Sequence, residues 1–116
     1  MVTLFSRTNG ILINLDTIKK IDIYYDYLVV PAKCNTIYIV RAWYNYGENN
    51  YIDISKTYSN KDEALIFFNC IFDKIQNHVY QTVSPTGIIT NNDLYIDLDK
   101  IEEQVQIELN NTKLNY

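Results

Sequence analysis

Residues 36–46 read Thr36-Ile37-Tyr38-Ile39-Val40-Arg41-Ala42-Trp43-Tyr44-Asn45-Tyr46, and this run decides the fold class. β-Branched and aromatic residues dominate it, the composition that suits a pleated, half-buried surface. Alternation sets Tyr38, Val40, Ala42, Tyr44 and Tyr46 on one face and Ile37, Ile39, Arg41, Trp43 and Asn45 on the other. Both faces are partly apolar, so the run reads as a central strand. Downstream, Gly47-Glu48-Asn49-Asn50 reads as a hairpin turn into 51–58, where Ile52, Ile54 and Tyr58 alternate with Asp53, Ser55 and Thr57. Upstream, Pro31–Asn35 separates it from the run 18–29. There Ile21, Ile23, Tyr25 and Tyr27 share the face expected to be buried, and Lys20, Asp22, Tyr24 and Asp26 share the wet one. Further upstream, 2–6 (VTLFS) and 11–15 (ILINL) flank an Asn9-Gly10 pair, a strong hairpin signal because both residues tolerate positive φ.

A helix follows over 60–83. Ser59 or Asn60 can cap it, and Asp62 and Glu63 sit in the first turn, at the positive end of the dipole. Leu65, Phe68, Phe72, Ile75 and Val79 form a stripe of threes and fours. Ala64, Ile66, Phe67 and Ile71 flank it, making the apolar face wider than one sheet contact requires. Ser84-Pro85-Thr86-Gly87 ends the helix. The tail opens with a strand at 94–98. Asp99 is then expected to cap a short helix with Glu102 completing a capping box, and Ile101, Val105 and Leu109 form its apolar line.

Strands first and helix second point to an α+β domain. The expectation is an antiparallel meander-like sheet of four to five strands, one long helix packed on it and a short β–α tail. One domain covers 1–116: sheet over 1–59, main helix over 60–83, acidic β–α tail over 84–116. An internal echo links Ile13-Asn14-Leu15-Asp16-Thr17-Ile18 to Ile96-Asp97-Leu98-Asp99-Lys100-Ile101, a likeness that local turn chemistry explains.

The chain has 116 residues, 47% hydrophobic and 21% charged, with a net charge of −4. Ile (17), Asn (14), Tyr (11) and Lys (8) crowd out Ala (3), Gly (3), Pro (2) and Arg (2), the mark of an AT-biased microbial or viral genome. That bias supplies aromatics without selection for chemistry. No apolar run reaches the roughly 18 residues of a membrane span, and no basic segment precedes an apolar stretch at the start. The chain is therefore expected in the cytoplasm, with no membrane partner. Its acidic balance argues against direct contact with nucleic acid, which takes clustered Lys and Arg. Cys34 and Cys70 fit no zinc or redox spacing and read as free thiols. No catalytic or metal motif stands out, so neither enzyme nor cofactor is expected.

Three features carry chemistry. His78, the single histidine, reads as a boundary residue of the helix and only secondarily as a general base. It lies too far along the helix from Cys70 to form a pair with it, and meets Cys34 only if the fold brings them together. Residues 61–116 carry −5 against +1 for residues 1–60, and Asp97, Glu102, Glu103 and Glu108 concentrate this charge near the end. These acids read either as a solvated face or as a patch that engages a basic groove on a partner. Tyr24, Arg41 and Trp43 fall on the outer sheet face and belong to the residue types that dominate binding hot spots. Ile66 and Phe67, beside the helix stripe, are candidates for self-association. Leu28-Val29-Val30-Pro31-Ala32 is either buried strand or an exposed interface patch.

The stretch Ile13-Asn14-Leu15-Asp16-Thr17-Ile18-Lys19-Lys20-Ile21 resembles the strand–turn–strand opening of many small proteins of phages and mobile elements. In these a Gly-containing hairpin follows, then a helix beginning like Ser59-Asn60-Lys61-Asp62-Glu63-Ala64. The resemblance covers residues 10–80 and leaves 84–116 outside it. Similar small, acidic, one-domain proteins include anti-CRISPR inhibitors of host defence. The resemblance implies a protein partner, a nuclease or defence complex, blocked by surface occlusion; it carries over no site residue. The alternative is a homodimer or larger homo-oligomer, a structural component of such an element.

Overall fold

The Asn9-Gly10 turn, with Gly10 at φ +65°, closes a hairpin between β1 (Val2–Ser6) and β2 (Ile11–Asn14). The structure is a computed structural model that describes residues 1–30, 33–82 and 93–114. After β2 the chain does not run on into the next strand of the same sheet. Asn14 accepts the Asp16 N–H on its side-chain oxygen (3.0 Å), and the Thr17 hydroxyl donates to the Asn14 carbonyl (2.7 Å). These local bonds wind Leu15–Thr17 into a 3-10 turn and aim the chain elsewhere.

The expected single meander is therefore two three-stranded sheets. β3 (Ile18–Val30), β4 (Lys33–Tyr44) and β5 (Tyr51–Asp53) form an antiparallel sheet in that order. The other sheet has the order β2-β1-β6, in which β6 (Leu94–Asp97) lies parallel to β1. The tail is thus no appendage: its strand makes β1 a central strand, with Leu4 opposite Ile13 on one side and Ile96 on the other. The expected short terminal helix is long, α2 (Leu98–Leu114), and makes a second helix beside α1 (Lys61–Thr82). Among the described residues the architecture is α+β with two α-helices and two small sheets, one antiparallel and one mixed.

Asn60 caps α1, its side-chain oxygen accepting the Asp62 N–H (2.7 Å). The face that α1 buries is Ala64, Phe67 and Ile71, rotated from the expected Leu65–Phe68–Phe72 stripe; Phe72 is exposed. The reason is that α1 has two sheets and a helix to cover. Its buried residues join Val40, Ala42, Ile54 and Tyr58 of the β5 side with Leu4, Ile13, Ile96, Leu98, Ile101 and Val105 of the β1–α2 side in one core. Full burial of a Phe side chain contributes about 2–3 kcal/mol, and Phe67 is 0% exposed.

The expected inner-face tyrosines of β3 are corrected as well. Tyr25 and Tyr27 are 59% and 58% exposed, because the β3–β4 hairpin runs on beyond Lys61, where α1 begins. The exposure of the Leu28–Ala32 run lies outside the described residues, as do the Ser84–Gly87 helix stop and the side chain of Cys34.

Candidate functional site

The register of the β3–β4–β5 sheet assembles the site. Arg41 stands opposite Asp22 on one neighbour and Asp53 on the other, with Tyr24 and Tyr51 at the diagonal positions. Diagonal neighbours lie ~7–8 Å apart, within reach of long side chains. The Arg41 guanidinium carbon sits 3.8 Å from the Tyr24 ring centre and 3.7 Å from that of Tyr51, a sandwich. Its Nε donates to Asp53 Oδ1 at 2.8 Å. Burial is the largest single influence and opposes the charge of Arg41, but the bond and charge of Asp53 together with Tyr51 and Tyr24 outweigh it, and the pKa moves further up. Trp43 continues the row: its ring lies 5.2 Å from Tyr51, its Nε1 donates to Asp22 (2.8 Å), and Lys20 Nζ sits 5.0 Å from it. Lys20 also pairs with Asp22 at 3.5 Å.

The result is an ordered aromatic surface on the face opposite α1. Of the three residues singled out from the sequence, Tyr24 and Trp43 are partly exposed on it, whereas Arg41 is only 7% exposed. Arg41 is thus corrected from a presented contact to the bolt that fixes Tyr24 and Tyr51. Tyr51, 43% exposed, and the carboxylates Asp22 and Asp53 belong to the site and were not singled out from the sequence. Their signal was present: on the Gly47 hairpin, Tyr51 and Asp53 alternate away from Ile52 and Ile54.

The acidic candidates are divided by the fold. Asp97 accepts the Asp99 N–H (3.0 Å) and is the cap of α2, the role expected of Asp99. Glu102 completes no capping box; its two oxygens accept the Lys56 N–H (2.7 Å) and the Tyr58 hydroxyl (2.5 Å). Burial and the Glu102 bond push the Tyr58 phenol well above its ordinary range. Asp99 crosses instead to the first hairpin, accepting from the Ser6 hydroxyl (2.6 Å) and from the N–H and hydroxyl of Thr8 (3.2 and 3.1 Å). The Ser6 bond leads in holding its carboxyl below the ordinary value. Glu103 and Glu108 are exposed, and Gln104 donates to Glu108 at 3.5 Å. Asp97 and Glu102 thus have partners within the chain, Asp97 in the Asp99 amide and Glu102 in the Lys56 amide and the Tyr58 hydroxyl.

Of the self-association candidates, Phe67 is fully buried and offers no surface to a second copy, while Ile66 is half-buried against the core. His78 is half-buried on α1. Cys70 is a free thiol whose pKa burial raises, the opposite of an activated nucleophile. An apolar groove of about 240 Å³ lies between the start of β3 and α1, lined by Ile18, Ile21, Phe68, Phe72 and Ile75 among others. Among the described residues no cluster of His, Cys, Asp and Glu is placed to hold a metal ion, and no helix is long and apolar enough to cross a membrane.

No protein-family model matches the chain, and neither a curated protein nor a solved structure matches it.

Proposed function

We propose that this chain is a non-enzymatic protein-binding module that inhibits a larger host or defence protein by covering its surface, with the outer face of the β3–β4–β5 sheet as the contact. The observation that carries the reading is the Tyr24–Arg41–Tyr51 sandwich continued by Trp43. Large aromatic side chains held in place before binding lose little conformational freedom on contact, and they concentrate binding energy. The sheet is favoured over the acidic tail because Asp97 and Glu102 are engaged within the chain. The exposed Glu103 belongs at most to the rim of such a contact, where charge affects the rate of encounter more than affinity. The anti-CRISPR-like target, a nuclease or defence complex in the cytoplasm, follows from the phage-protein resemblance of residues 10–80.

Affinity capture from a lysate of an AT-rich bacterial host tests the reading, with wild type set beside Trp43→Ala/Tyr51→Ala and Glu103→Lys. One host protein retained near equal stoichiometry by wild type and Glu103→Lys, and lost by the aromatic variant, is expected. Equal retention by all three would move the contact off this face, and recovery of the chain alone would overturn the inhibitor reading.

A further inference from the structure

We propose that the open edge of β3 pairs antiparallel with the same edge of a second copy, in a register centred on Ile23. Among the described residues β3 ends its sheet, bonded to β4 alone. The direction of its backbone groups follows from the other side of β4. The Tyr44 N–H donates to Asn50 and the Ile54 N–H to the Val40 carbonyl, so Val40 and Tyr44 bond toward β5. Backbone groups alternate along a strand, so Ile39, Arg41 and Trp43 bond toward β3, where their register partners are Tyr24, Asp22 and Lys20. That leaves Ile21, Ile23 and Tyr25 with their N–H and C=O groups directed away from the sheet, a ready template for another strand.

The side chains select the second strand. About Ile23, Lys20 falls opposite Asp26 of the copy and Asp26 opposite its Lys20, two ion pairs generated by one axis. Asp22 falls opposite Tyr24, and Ile21 opposite Tyr25. Moving the centre to Asp22 sets that carboxylate against itself, and moving it to Tyr24 sets Asp22 against Asp26. A one-residue slip places the outward-bonding residues against inward-bonding ones and flips the faces. A centre at Ile21 also opposes Lys20 to Asp22, but it leaves Tyr25 and Tyr27 beyond the paired length, so the register about Ile23 is the one that combines two ion pairs with pairing of the tyrosines. The same register brings the copy's Tyr25 and Tyr27, whose rings meet edge-on at 6.2 Å, over the mouth of the apolar groove walled by Ile18, Ile21, Phe68 and Phe72. It removes from water the two most exposed aromatics of the hairpin. The product is a continuous six-stranded sheet whose outer aromatic face stays open, so this inference does not depend on the partner contact above.

Sedimentation over a concentration series tests it. A monomer–dimer equilibrium is expected for wild type. Asp26→Lys sets two lysines against each other twice and should weaken the dimer by about tenfold; Lys20→Asp/Asp26→Lys restores the opposite charges and should recover it. A wild-type chain that stays monomeric into the millimolar range overturns the proposal, as does a dimer that Asp26→Lys leaves unchanged or that the double exchange fails to restore. Amide hydrogen exchange on wild type needs no variant. Protection of the Ile21, Ile23 and Tyr25 amides should rise with concentration, while the Asp22 and Tyr24 amides, already bonded to β4, should not change. Protection independent of concentration contradicts the pairing.

Discussion

Glu102 ties the start of α2 to the segment between β5 and α1, one oxygen on the Lys56 amide and the other on the Tyr58 hydroxyl. Tyr58 is itself a core residue, so loss of the carboxylate strands a buried hydroxyl and frees an amide at once. Glu102→Ala is expected to lower stability by about 2 kcal/mol, whereas Glu103→Ala, one residue on and exposed, should stay within about 0.5 kcal/mol. Urea unfolding followed by circular dichroism separates the two. Similar midpoints for both variants would show that the Glu102 bonds contribute nothing net. Arg41 follows the same logic on the sheet: a charged side chain enclosed by two rings and a carboxylate works as a structural pin. Alternation in the sequence placed it on the correct face, but enclosure depends on Tyr24, Tyr51 and Asp53, which the two neighbouring strands β3 and β5 supply.

Elements joined by local chemistry are legible in the sequence, and those joined across the chain are not. The β-branched and aromatic run of β4, the Asn9-Gly10 hairpin and the Asn60-capped helix each need only neighbours within a few residues. The parallel pairing of β1 with β6 joins segments some ninety positions apart, and no local pattern marks it. One trace of it was visible. The two echoing segments, 13–18 and 96–101, flank β1 on either side, and in both an Asx side chain accepts the amide two residues on. The α1 stripe was misplaced because periodicity fixes the pitch of a helix, while the number of elements around it decides which residues are enclosed. Asp99 fastens α2 to the first hairpin, and its effect belongs at this scale. Its folded pKa lies below the ordinary carboxylate value, so the contribution is present above that value and fades as pH falls through the folded one. Stability of the wild type should therefore drop more steeply below about pH 4 than that of Asp99→Asn. Parallel acid limbs for the two would contradict the clasp.

The whole molecule is more extended than its length requires. Its radius of gyration is 16.5 Å, against ~13 Å for a compact domain of this size. One core joins the elements: α1 packs on β3, β4 and β6, α2 packs on β1, and among the described residues no helix covers the outer face of β3–β4–β5. That face carries the chain's single tryptophan, Trp43, between Tyr51 and Lys20. A protein that binds there must shield this one indole. Quenching of Trp43 fluorescence by acrylamide, measured with and without the host protein captured in the affinity experiment, is thus the most direct test of the central claim. The account expects quenching to fall when the partner is bound, with Tyr51→Ala weakening the response. Quenching unchanged at saturating partner would place the contact elsewhere on the chain and contradict it.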